Sequence, residues 1–231
     1  ELVLDAAKAR KLRDGENPAR WRGHLDKLLP RQKQVKVPFA AMPAEQLGLF
    51  VRQLDSLEGN AARACELLIY TACRSAEVCD ARWSEFDLAA QLWTIGTARM
   101  KAGKTHRVPL SASALQVLEQ QRGKHPLFVF PNARRSGSLP GNAIRRVMDT
   151  LQAGGYVPHG FRSTFRTWAA ECTDFPREVC EMALAHTLDD KVEAAYNRGD
   201  LLDKRRQLMA DWAAFIAQGA TVELSPQALA D

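Results

Sequence analysis

Residues 64–73 read ACELLIYTAC and are apolar nearly all the way round a helix, so other elements have to surround this segment on every side. Asn60 is a good N-cap, and a helix over 60–73 is expected at the centre of one core. The 231 residues, 46% hydrophobic and 26% charged, are enough to build that core. No run approaches the roughly 18 to 20 uninterrupted apolar residues of a membrane span, and the first eleven residues lack the pattern of a signal peptide. Five cysteines, an odd number with no C-x-x-C pair, argue against a disulfide framework and a zinc ribbon. The expectation is a cytoplasmic protein with reduced thiols and no membrane or metal. Its start at Glu1, in mid-helix pattern, reads as a piece of something longer.

The rest of the chain is mostly helical by pattern. The opening predicts a helix through Leu12, a turn over 14–18 and a second helix ending near Pro30, followed by the aperiodic basic stretch RQKQVKVP. Helices are expected over 43–57, over 75–83 capped by Ser75, and near 141–153, 159–172, 176–186, 189–197 and 200–217. Residues 91–95 and 106–110 are strand-like and joined by a basic connection, which predicts a hairpin or small sheet. The fold class is mostly α with a small antiparallel β-sheet, an α+β chain.

Charge is unevenly spread. Residues 1–36 carry ten Lys and Arg against five Asp and Glu, and residues 99–177 carry thirteen against four, while 37–98 and 178–231 are net acidic. Two basic blocks between acidic ones suit a polyanion, and ordinary solvated helix faces are the bland alternative. Lys33 and Lys36 would lie on a phosphate backbone from the linker. Arg99, Lys104 and Arg107 would do so from the hairpin, and Arg166 from a later helix.

The stretch from His159 to Cys172 concentrates chemistry. On a helix, Phe161, Phe165, Trp168 and Cys172 fall within about 60° of one another, and His159, Arg162 and Arg166 within a second arc, so one face is core and the other cationic. Pro158 sets the helix entry and puts His159 in the first turn, where backbone N–H groups favour an anion; a capping histidine on a surface helix reads equally well. Arg74 follows the buried helix directly and needs an anionic partner, either Glu77 or a phosphate oriented by it. Lys101, on the hairpin turn, reaches solvent or a phosphate. His186 suits a helix C-terminus, and Tyr196 has the spacing of a core residue. Gly103-Lys104-Thr105 fails as a P-loop because residue 98 is Ala. A metal site on His159 and His186 lacks a carboxylate in a recognised spacing.

Taken in chain order, Arg74, Lys101, His159-x-x-Arg162, His186 and Tyr196 resemble the active-site set of the tyrosine recombinases, the phage integrase family. Thr71-Ala-Cys-Arg-Ser-Ala-Glu77 is similar to the family's T-G-x-R-x-x-E box, with Ala and Cys replacing Gly and its neighbour. Lys101, eight residues before Pro109, has the placement of the hairpin lysine. His159-Gly-Phe-Arg162 matches H-x-x-R, and Leu184-Ala-His186 matches L-G-H with Ala for Gly. Ala195-Tyr196-Asn-Arg resembles the nucleophile segment. GENPARW and TARMKAGKTHRVPL are similar to the prophage and genomic-island branch.

The resemblance implies the catalytic-domain fold of the DNA breaking-rejoining enzymes over residues 37–217. It makes residues 1–36 the end of a core-binding domain plus linker, and residues 218–231 a C-terminal tail. It also implies a site-specific recombinase that works without cofactor, metal or ATP. Tyr196 would be the nucleophile, Arg74 and Arg162 the phosphate clamps, His159 the base and Lys101 the acid, with His186 donating to the phosphoryl group. The partners implied are double-stranded DNA at attachment sites, three further protomers in a tetramer, and an accessory DNA-bending protein or excisionase. A type IB topoisomerase and a non-catalytic DNA-binding protein on the same fold are the alternatives.

Overall fold

The computed structural model describes residues 1–29, 40–153, 155–186 and 200–220. The chain divides into two compact units, residues 1–38 and residues 39–231. In the first, α1 (Leu2–Ala9) is followed by a single helical turn at Asp26–Leu28. The expected second helix is broken between Trp21 and Leu25, because Arg22 is extended and Gly23 has φ +79°. Asn17 of the GENPARW stretch is buried and ties the unit together. Its amide donates to the Glu1 carbonyl at 2.9 Å and to Asp5 Oδ1 at 2.7 Å, while its oxygen accepts the Ala19 N–H at 2.9 Å.

In the second unit the helices are α2 (Leu47–Asp55), α3 (Asn60–Thr71), α4 (Ser75–Cys79), α5 (Ala112–Glu119), α6 (Ala143–Thr150), α7 (Gly160–Glu171), α8 (Arg177–Ala183) and α9 (Leu202–Gly219). Strands β1 (Phe86–Asp87), β2 (Leu92–Ile95) and β3 (His106–Pro109) form the small antiparallel sheet in sequence order, with β1 lying outside the two strand-like stretches. The helix expected over 189–197 lies outside the described residues, as do Tyr196, Lys33 and Lys36. All five cysteines are free thiols. Among the described residues no helix is long and apolar enough to cross a membrane.

Helix α3 is central, as its composition requires: Ala64, Cys65, Leu67, Leu68 and Ile69 are at most 1% exposed. It packs against α2, α4, α5, α6, α7 and α9. Trp212 of α9 donates its indole N–H to the Ile69 carbonyl at 2.9 Å, so a large apolar ring enters the core without stranding its donor. The Trp212 ring meets Phe165 edge-on at 5.4 Å and stacks on Phe215 at 6.0 Å. Helix α9 crosses α2 so closely that a Cβ on Gly48 would lie 2.2 Å from the backbone at Gly219 and Ala220.

Three local expectations change. Asn60 does not cap α3: its side chain donates to the Pro131 carbonyl at 2.8 Å, and Gly59 at φ +108° precedes the helix. Ser75 does not cap α4, because Arg74 is extended there and its N–H is met by Glu77 Oε2 at 2.8 Å. Cys172 is exposed at the end of α7 rather than buried with Phe161, Phe165 and Trp168.

Candidate active site

Two helix ends and one arginine build the centre of the site. Helix α3 closes at Ala72 and α8 is followed by Ala185, and both alanines have left-handed backbones, at φ +50° and φ +49°. These turns aim two orphaned helix-end carbonyls inward. Arg162 receives them: its Nη1 donates to the Ala72 carbonyl and its Nη2 to the Leu184 carbonyl, each at 2.5 Å. Arg162 is therefore 4% exposed, not part of an outward cationic face. Its Nε–H is buried and has no partner among the described residues.

The left-handed alanines are strained by roughly 1–2 kcal/mol each, a cost glycine escapes. Ala72 is 1% exposed, so its replacement by glycine also deletes a buried methyl worth roughly 0.8 kcal/mol, and the two effects offset. Ala185 is only half-buried, so Ala185→Gly is expected to raise stability by about 1 kcal/mol, read from urea midpoints. A loss of stability would show that the turn is not strained as its dihedrals imply.

Helix α7 enters where Val157 donates to the Ala40 carbonyl at 3.2 Å. A Cβ at position 160 would fall 2.4 Å from that same oxygen, so the residue between His159 and Phe161 has to be glycine. His159 then stands at the N-terminal end of α7. Burial, followed by the charges of Arg162, Arg74 and His186, holds its pKa below the ordinary histidine value. It is thereby neutral at pH 7 and able to accept a proton.

Arg74 keeps one edge for Glu77, donating from Nη1 to Oε1 at 2.8 Å, while Glu77 itself is 4% exposed. Glu77 is thus the anionic partner of Arg74, whose side chain stays 26% exposed. Cys73, which feels the charges of Glu77, Arg162 and Arg74, is no rival nucleophile. Burial pushes its thiol up to about 12.

His186 lies 3.1 Å from Arg162 through Nε2 and 2.7 Å from Glu181 Oε2 through Nδ1. Assigning the neutral tautomer from these partners makes Nδ1–H the donor to the carboxylate and Nε2 an acceptor from the guanidinium. In this arrangement His186 fixes Arg162, and donation to a phosphoryl oxygen requires the imidazolium or a shift of Arg162. Glu181 is also paired with Arg166 at 2.7 Å. The sequence reading missed Glu181, which is five residues from His186 and reaches it only because the chain turns back at Ala185.

The hairpin arginines are largely engaged within the protein. Arg99 is 17% exposed and bound to the Glu85 carboxylate, to Asp80 and to the Glu77 carbonyl, while Arg107 pairs with Asp200 at 2.9 Å. Lys101 and Lys104 are exposed on the turn before β3.

His106, also missed, is opposite Ile95 in the sheet and so shares its inward face. Burial, then the charges of Arg205 and Arg162, lower its pKa to about 4. Because its pKa is about 6.5 when unfolded, the unfolded chain binds the extra proton between pH 6.5 and pH 4. Stability is therefore full above pH 6.5 and expected to fall by about 3 kcal/mol from this group as pH drops to 4. Urea midpoints against pH check this: His106→Gln should flatten the slope in that window, and an unchanged slope would contradict the assignment.

The description "Phage integrase family" belongs to a sequence profile that matches residues 41–201. Prophage integrase IntA of Escherichia coli (strain K12) is 40% identical over 192 residues, covering 79% of this chain and 45% of the relative. The integrase of Shigella phage Sf6 is 31% identical over 185 residues, covering 77% and 48%. The chain thus spans about half the length of the curated relatives it matches. Among solved structures, an integrase from mycobacterium phage Brujita aligns at TM-score 0.58 with 17% identity, over 87% of this chain and 65% of that one. A lambda integrase tetramer bound to a Holliday junction aligns at TM-score 0.57 with 17% identity, over 85% and 56%. At such identities these structures bear on the fold, which is that of tyrosine recombinase catalytic domains.

Proposed function

The chain belongs to the phage integrase family, and from that membership we propose that it is the catalytic part of a site-specific recombinase that integrates or excises a mobile element. Residues 37–217 would be the catalytic domain, residues 1–36 the end of a core-binding domain with its basic linker, and residues 218–231 a tail. The carrying observation is the convergence of Arg74, His159, Arg162 and His186. His186 is 3.1 Å from Arg162, and both arginines lower the pKa of His159. Two guanidiniums facing one base suit a phosphodiester, whose nonbridging oxygens gain charge in the transition state.

In the proposed step the Tyr196 hydroxyl loses its proton to His159 and its oxygen attacks phosphorus. The P–O5′ bond breaks and Lys101 protonates the departing oxygen. A 3′-phosphotyrosine and a free 5′ hydroxyl result. The ester link stores the energy for rejoining, so neither metal nor ATP has to enter. A lambda integrase has been seen as a tetramer on a Holliday junction. We extend to this chain a tetramer on attachment-site DNA, assisted by a DNA-bending protein or excisionase, in the cytoplasm.

Trapping on a nicked suicide duplex drawn from the element's own junction tests the reading. A denaturing gel should show a protein-linked DNA band, and peptide mapping should place the link at residue 196. No band at low salt and high protein, also with the upstream part of the protein restored, would reject the catalytic reading.

A further inference from the structure

Glu181 lies in the last turn of α8, and the way this helix ends puts its carboxylate on His186. Around the left-handed Ala185, the Ala185 N–H donates to the Met182 carbonyl at 3.1 Å and the His186 N–H to the Glu181 carbonyl at 3.0 Å. This pair of bonds brings the second residue past the helix cap against the third-last residue of the helix. Here the two side chains that meet are an imidazole and a carboxylate, 2.7 Å apart from Nδ1 to Oε2.

The carboxylate is shared. Its other oxygen, Oε1, accepts the Arg166 Nε–H at 2.7 Å, and the exposed Arg177 approaches the same oxygen at 4.0 Å. Against burial, the bonds from Arg166 and His186 keep this carboxyl below the ordinary glutamate value, so it is charged at pH 7. Arg166 lies one helical turn past Arg162 on α7, and His186 Nε2 meets Arg162 Nη2 at 3.1 Å. Guanidinium, carboxylate, imidazole and guanidinium thus form a chain whose two ends are both on α7. A neutral imidazole that faces a carboxylate at Nδ1 carries its proton there, which leaves Nε2 as the acceptor for Arg162. The opposite tautomer would set one N–H against another and push the guanidinium off the Ala72 and Leu184 carbonyls.

We propose that Glu181 is a positioning residue that sets the tautomer of His186 and, through it, the aim of the Arg162 fork, with Arg166 holding the carboxylate in place. Arg166 then acts within the protein rather than as a DNA contact. The effect on cleavage rests on the recombinase reading above, whereas the tautomer of His186 is a property of the chain alone. Without the carboxylate the imidazole takes either tautomer, and the fork is misaligned in a share of the molecules. Removing a negative charge would by itself tighten binding to a polyanion, so slower cleavage at undiminished affinity marks orientation and not charge.

Two measurements test this. The first is heteronuclear NMR of the imidazole nitrogens in alkaline buffer without DNA, with the His186 signals identified by their absence in His186→Gln. The wild type should show a protonated Nδ1 and an unprotonated Nε2, and Glu181→Gln should move both signals toward the average of the two tautomers, Glu181→Asp less so. An Nε2–H tautomer in the wild type, or an unchanged pattern in Glu181→Gln, would overturn the proposal. The second is single-turnover cleavage of the suicide duplex at saturating DNA, with duplex affinity measured alongside. Glu181→Gln is expected to be about 30-fold slower and Arg166→Gln about 5-fold slower, with affinity no more than about twofold weaker and Glu181→Asp restoring part of the rate. An unchanged rate in Glu181→Gln, or a loss confined to DNA affinity, would equally overturn it. If Glu181→Gln does not fold, the wild-type tautomer and the Arg166→Gln rate decide in its place. If the wild type forms no adduct, the recombinase reading fails, and the NMR pattern still decides whether Glu181 sets the tautomer.

Discussion

Tyr196→Phe is expected to abolish the covalent protein–DNA band, a loss of about 10⁴-fold or more, while duplex binding stays within about twofold. The substitution removes one oxygen and leaves the ring, so only the proposed nucleophile is lost. Among the described residues, Cys73 and His159 do not replace it. The Cys73 thiol is 2% exposed with its pKa pushed up to about 12, and His159 is placed to accept a proton. Water remains as an attacking group, and it would yield a nicked strand with no protein attached. The gel separates these outcomes: a linked band from the phenylalanine variant would assign the nucleophile to another residue and reject the mechanism.

The second large effect is expected at Arg162. Arg162→Lys keeps the charge but replaces a planar five-donor fork with a single ammonium. In the native site the fork reaches the Ala72 and Leu184 carbonyls and His186 together, on directions an ammonium at one point does not reproduce. Cleavage is expected to fall by about 10³-fold, the scale of losing an oriented donor to a developing charge. Because at least one helix-end carbonyl or the His186 Nε2 loses its donor, stability should also fall by about 2 kcal/mol. Single-turnover cleavage and urea unfolding measure the two quantities. Cleavage within tenfold of wild type would mean that charge alone suffices and that the socket is structural.

Much of the site was legible because its signals are local in sequence. The His159-x-x-Arg162 spacing is one helical turn, and the Thr71–Glu77 box is a helix end followed by a helix start. Lys101 lies on the ten-residue connection, 96–105, between two short strands. Such patterns follow from backbone periodicity and capping within a few residues.

Partner choice was not legible in this way. Arg162 has the helical phase of a cationic outer face, yet it is buried because two helix-end carbonyls from distant segments offer it better partners than water. Arg99 reads as a hairpin DNA contact but is engaged by Glu85 and the Glu77 carbonyl. Glu181, His106, Asp200 and Arg205 carry no motif signal at all.

By itself the amino-acid sequence determined the central buried helix, the presence of a small antiparallel sheet and the family to which the chain belongs. Each of these is written in short-range periodicity or in fixed motif spacing. Only the tertiary structure decided which charges are spent inside the protein and which still face outward. A guanidinium or imidazole takes its state from whatever acceptors, carboxylates and desolvating side chains the fold brings within about 4 Å, and those neighbours come from segments far apart along the chain.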